Sequence, residues 1–145
     1  MVVCPHLICL RGDKILLLKR SDSAQIMAGH WHCPTGKIEE GETPLQAIVR
    51  EVYEEVGVHA SDLNYVTSVY IDIVSWRDPT QRWQDLSVFF VANFEGLTPH
   101  NVEPEKHPEM AWFPINNLPF PMIPVVQKGI EQYLNQVPYG EMVDK

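Results

Sequence analysis

Glu51, Glu54 and Glu55 crowd into the stretch GKIEEGETPLQAIVREVYEEVGV, which runs from Gly36 to Val58. At about 100° per residue in a helix the three carboxylates share one arc, where like charges at i and i+4 cost a few tenths of a kcal/mol. A divalent cation turns most of that repulsion into attraction. Ligands that are all oxygen favour a hard ion such as Mg2+, with Mn2+ as its substitute. On composition and spacing alone, an ordinary solvated acidic face is the simpler reading, because glutamate is a good helix former. Ala47 falls on the same arc, four residues before Glu51, where a small side chain would leave room for a ligand.

The element that must carry these groups has both ends marked. Thr43 can cap it through its hydroxyl, and Pro44 suits the first helical position, where its missing amide proton would have had no intrahelical acceptor. Gly57 stops it. Leu45, Ile48, Val49, Val52 and Val56 gather on an adjacent apolar arc expected to face the core, while Gln46 and Tyr53 point elsewhere.

The whole pattern says more than its acids do. Gly36, Glu42, Arg50, Glu51, an apolar Val52, Glu54, Glu55, Gly57 and an apolar Val58 match, at every required spacing, the signature of the Nudix hydrolase family. The chain resembles that family's small nucleoside triphosphate pyrophosphohydrolases. The resemblance implies an α/β fold, an α/β/α sandwich with a curled mixed sheet, in which the signature forms a loop-helix-loop. It also implies Mg2+ as cofactor, with Glu54 and Glu55 as main ligands and Glu51 as ligand or water-activating group. Arg50 would orient a glutamate through a forked ion pair, and Glu42 would anchor the loop.

A carbonyl beside Gly36 resembles the family's backbone ligand, so Thr35 and Gly36 join the candidate metal site. The family's usual form has glycine where Thr35 stands. The carbonyl survives that change, but threonine tolerates positive φ poorly, which puts the loop conformation in question. Arg20 matches a recurring phosphate-contact position. Lys37 reads equally as a phosphate partner or a solvated loop residue. Late in the chain, Asn101–Lys106 resembles the acidic loop of small nucleotide-directed members, in which a distant glutamate adds a ligand or base. Glu105 is the first choice there, with Glu109 and then Glu103 in reserve, against a polar loop holding no ligand.

The reaction implied is nucleoside triphosphate, or a modified nucleotide, plus water to monophosphate plus pyrophosphate. Dinucleoside polyphosphate, nucleotide-sugar, ADP-ribose and pterin triphosphate hydrolysis are the alternatives within the enzyme class. A noncatalytic nucleotide-binding module and an enzyme acting on capped RNA are the others. Selectivity should lie outside the signature. His30, Trp31 and His32 precede the glycine turn, and Trp76, Trp83, Phe89 and Phe90 lie near other strand ends, where aromatic faces can stack a base. His30, Trp31 and Phe89 are therefore candidates for substrate contact, although at least one of Phe89 and Phe90 should be core.

Strands are expected over Val2–Leu10 and Ile15–Lys19, joined as a hairpin, and over Ala28–Cys33, Leu63–Ser75, Leu86–Phe94 and Ala111–Pro114. Trp76–Trp83 reads as a hairpin loop and Gly96–Pro108 as a longer one. Pro124 starts a final helix with Val125, Val126, Ile130, Tyr133, Leu134 and Val137 on its apolar side, and the last residues should fray.

The 145 residues suit a single domain. Eleven basic against nineteen acidic residues give a net charge of -8, which argues against binding a long nucleic-acid backbone and leaves a small phosphorylated substrate open. The apolar runs are too short to span a membrane, and the first residues lack a basic leader, so a cytoplasmic location is expected. Cys4, Cys9 and Cys33 are expected as free thiols. A zinc site with His6, His30 or His32 fits no common spacing. Whether the chain pairs with a second copy of itself is left open.

Overall fold

Gly12, at a φ of 58°, turns the first apolar run back on itself. The computed structural model describes residues 2–75 and 84–143. β1 (Val2–Arg11) and β2 (Lys14–Lys19) pair only beside that turn, at Leu10 with Ile15 and Arg11 with Lys14. Beyond it, β1 runs parallel to β5 (Gln84–Asn93). β2 instead pairs along its whole length with β6 (Glu109–Pro114) and at its far end with β3 (Trp31–His32). β4 (Asn64–Ser75) lies antiparallel to β5, and β7 (Tyr139–Val143) adds to β4 in parallel. The result is one open, mixed, seven-stranded sheet.

Alternation along the strands gives the sheet two apolar faces. Leu7, Cys9, Leu16 and Leu18 meet Ile48, Val52 and Val56 of α1 (Pro44–Val56) on one face. Ile8, Ile15, Leu17, Phe89 and Val91 meet Val126 and Ile130 of α2 (Pro124–Asn135) on the other. This is an α/β/α sandwich. No helix among the described residues is long and apolar enough to cross a membrane.

Several expectations are corrected. β3 covers only Trp31–His32, not Ala28–Cys33, because Arg20 and His30 close the preceding loop by a backbone hydrogen bond. Tyr139–Val143, near the end where fraying was expected, instead adds a strand to the open edge of β4, and the final two residues lie outside the described ones. Leu45 is exposed and Ala47 is fully buried, so the buried stripe of α1 is rotated toward the acidic arc, and Ala47 belongs to the core instead of leaving room for a ligand. Leu134 and Val137 are exposed as well. The loop expected over Trp76–Trp83, with both tryptophans, lies outside the described residues.

Candidate active site

The acidic helix is fixed at both ends by the residues that mark them in the sequence. Thr43 accepts the Gln46 amide at 3.1 Å, and the Gln46 side chain accepts the Thr43 amide at 2.9 Å, a reciprocal cap. Gly57 adopts the left-handed conformation, φ 71°, and returns its amide to Tyr53. The late loop completes this end. His100 donates to the Val56 carbonyl at 3.0 Å and Val102 to that of Glu55 at 3.1 Å. Two last-turn carbonyls are satisfied, and Glu103 is brought beside the helix.

Arg50 organises the acids. Its Nε and Nη2 clamp Glu42 at 2.9 and 3.0 Å, and Nη2 also reaches the Lys37 carbonyl at 3.1 Å. Nη1 holds Glu51 Oε1 at 2.8 Å and Glu54 Oε2 at 3.4 Å. Arg50 ties the glycine loop to the helix and faces Glu51 with a positive charge. The clamp raises its own pKa, first through the Glu42 hydrogen bonds, and lowers that of Glu42.

Gly36 has a steric reason to be glycine. A Cβ there would overlap the Glu51 carboxyl group. Thr35 answers the question its substitution raised, since its φ is not positive. Its backbone bridges to His6, its hydroxyl donates to the Pro5 carbonyl at 2.8 Å, and its amide donates to Glu55 Oε2 at 3.3 Å.

Glu55 is buried, and burial pushes its carboxyl well above the usual range, with Glu51 adding to the effect and Glu103 and Glu54 contributing further. Glu51 is raised too, by burial first, with Arg50 pulling the other way and Glu54 and Glu103 opposing Arg50. A buried carboxylate among like charges fits a site for a cation. The donor set is all oxygen, which suits a hard ion such as Mg2+. Among the described residues no three His, Cys, Asp or Glu side chains are already gathered in metal-ligand geometry; here Arg50 takes the oxygens of Glu51 and Glu54.

These groups line one side of a cleft of about 780 Å3. Arg20, Lys37, Glu103 and Glu105 line it as well. Glu103, the third choice, is the late glutamate whose charge is felt at both Glu51 and Glu55, and it pairs with Lys106 at 3.0 Å. Glu105 is exposed at the rim, and Glu109 lies outside the cleft at the start of β6, opposite Lys19 in the strand register. Arg20 donates to the Ile26 carbonyl at 3.1 Å, while its buried Nε has no partner among the described residues.

Three substrate candidates sit elsewhere. Phe89 is fully buried under α2 and stacks on His6. Trp31 is core, edge-on to Phe113 with ring centroids 4.8 Å apart. His30 is outside the cleft and donates to the Ala28 carbonyl at 3.0 Å. Sequence reasoning missed the polar residues that do line it from the strands, His6, Asp85 and Ser87. A signal existed: His6 and Ser87 interrupt otherwise apolar strand cores.

The NUDIX domain pattern matches residues 4–134. The chain is 32% identical over 125 residues to the CTP pyrophosphohydrolase of Escherichia coli K12, covering 86% of this chain and 84% of that one. It is 28% identical over 145 residues to the RNA pyrophosphohydrolase of Francisella philomiragia, covering 83% and 92% respectively. Among solved structures it resembles the MutT NUDIX hydrolase of Burkholderia pseudomallei, with a TM-score of 0.73, 27% identity, and coverage of 90% of this chain and 96% of that one.

Proposed function

Because the chain belongs to the Nudix family, which hydrolyses phosphoanhydride bonds of nucleotides, we propose that it converts a nucleoside triphosphate, or a modified one, to the monophosphate and pyrophosphate with Mg2+ as cofactor. The observation that carries this reading is the acidic cluster on one wall of the cleft, Glu51, Glu54 and buried Glu55 from α1 with Glu103 brought in by the late loop.

Glu54 and Glu55 would hold the metal, with Glu103 and the carbonyls beside Gly36 as further oxygen donors. Bound Mg2+ supplies charge neutralisation on the phosphoryl oxygens and lowers the pKa of water. Arg50 fixes one Glu51 oxygen, and we assign the proton of the attacking water to the other. The Thr35 amide keeps Glu55 oriented. Lys37 and Arg20, on the cleft wall, are the cations available to the phosphate tail.

The test is phosphate release from a panel of nucleoside triphosphates with and without Mg2+, in the native protein and in Glu54→Gln and Glu55→Gln. Each variant should lose at least about a hundredfold in kcat with its fold retained. Full activity without metal, or in both variants, would refute the reading. Since one relative is an RNA pyrophosphohydrolase, competition between 5′-triphosphorylated RNA and mononucleotides belongs in the panel. The net charge of -8 favours mononucleotides, and cleavage of RNA alone would reverse that order.

A further inference from the structure

The cleft has a second lobe that phosphate chemistry leaves unused. β1 and β5 run parallel with Cys4 opposite Ser87 and His6 opposite Phe89, so Cys4, His6, Asp85 and Ser87 share the sheet face that α2 covers. Ile123, Val125 and Val126, at the entrance to α2, line the cleft there.

The floor of this lobe is polar where the strand pattern elsewhere is apolar. Ser87 is 2% exposed and His6 is 5% exposed, and they bond each other at 3.1 Å. The His6 ring lies flat on Phe89, centroids 4.4 Å apart and planes 11° off parallel, which holds it rigidly in place. Its Nδ1 is buried with no partner among the described residues. Burying an unpaired polar atom costs free energy, so a ligand that supplies the missing hydrogen bond is favoured.

The chemistry of the lobe tells which part of a nucleotide fits. Its cover is aliphatic. The His6 imidazole is buried, bonded to Ser87 and stacked on Phe89, so it presents a hydrogen-bonding ring nitrogen to the lobe. The charged group on the floor is the Asp85 carboxylate, which repels phosphate and accepts from N–H donors. Lys37 lies close enough to counter the upward push of burial on the Asp85 carboxyl, and its carbonyl is held by Arg50 of the acidic helix.

We propose that this lobe is the nucleobase subsite, and that Asp85 selects bases carrying an exocyclic amino group by accepting its N–H. The inference rests on the nucleotide reading above and adds the orientation of the substrate and the residue that reads it. The face of the base packs against Ile123, Val125 and Val126 instead of an aromatic ring. The Ser87–His6 pair provides a second contact whose hydroxyl and imidazole can exchange donor and acceptor roles.

The experiment compares nucleotides that differ only by the amino group: GTP with ITP, ATP with purine riboside triphosphate, and CTP with zebularine triphosphate. In the native protein at least one amino-bearing member should show a KM about tenfold lower than its partner. In Asp85→Ala that difference should fall below about threefold, with the loss confined to KM, while the isosteric Asp85→Asn, whose amide oxygen can still accept, should keep part of it. Melting curves check that both variants fold. No separation within any pair, or an unchanged ratio in Asp85→Ala, would overturn the proposal. Calorimetric titration with the corresponding monophosphates reads the same discrimination without turnover. A protein that binds one amino-bearing monophosphate about tenfold tighter but hydrolyses no triphosphate sustains the subsite and refutes the reaction. One that hydrolyses every triphosphate with equal KM does the reverse.

Discussion

Glu55 combines two unfavourable conditions, burial and neighbouring negative charge, and its carboxyl rises accordingly. A folded-state pKa above the unfolded value means that the metal-free protein loses stability as pH climbs through that interval. On the proposed function a divalent cation would restore the loss. Melting temperature should therefore rise on adding Mg2+ or Mn2+ at pH 8 and rise less at pH 5; equal shifts at both, or none at either, would contradict ligation by ionised carboxylates. The buried imidazoles act in the opposite sense. His6 and His32 are held by burial near a pKa of about 3, so their contribution is fully present above the unfolded value of about 6.5 and is lost as pH falls toward 3. Each costs about 1.4 kcal/mol per pH unit across that window. Urea titrations at pH 7, 5.5 and 4 check this, and His6→Gln should flatten the slope by one group's share.

At the scale of the element, the loop-helix-loop separates catalysis from stability in two glycines. A Cβ at Gly36 would meet the Glu51 side chain, its Cγ and carboxyl group, and push that carboxylate off its Arg50 partner, so Gly36→Ala should lower kcat/KM by about a hundredfold with little change in melting temperature. At Gly57 the added Cβ would strike His100 and sit at positive φ, so Gly57→Ala should destabilise by about 1–2 kcal/mol and, through the loop that seats Glu103, lower kcat/KM by less than Gly36→Ala does. Activity assays beside denaturation curves on both variants distinguish the two. The helix itself was legible from the chain because its signals are local: Thr43, Pro44 and Gly57 act within a turn of their own position. Its rotation was not. Leu45 and Ala47 exchange their expected environments because the sheet, which the helix sequence does not encode, decides which stripe is buried. That Glu103 lies near Glu51 and Glu55 was not legible for a similar reason. Its place depends on the amides of His100 and Val102 finding the last carbonyls of α1.

At the scale of the molecule, the mixed sheet brings the start of β1, the glycine loop and the head of β5 together, so the acidic helix and the strand-lined lobe that holds Asp85 share one cleft. The α/β/α sandwich is implied by the resemblance the signature carries, and the strand and helix patterns are compatible with it. The pairing of β7 with β4 could not be read from the chain, because a short exposed strand carries little pattern of its own. Phe89 reads as a plausible stacking face in sequence and becomes floor once α2 lies over it, with Gly129 leaving space for its ring. Gly129→Ala should accordingly destabilise the core by about 1–3 kcal/mol, measurable as a lower urea midpoint. The central claim is that the carboxylates of α1 direct water to a nucleotide phosphoanhydride through a divalent cation. Phosphorus NMR of a nucleoside triphosphate incubated with protein and Mg2+ tests it most directly. Nucleoside monophosphate and pyrophosphate should appear, and chelation of the metal should stop them. Nucleoside diphosphate with orthophosphate, or turnover indifferent to chelation, would contradict the account.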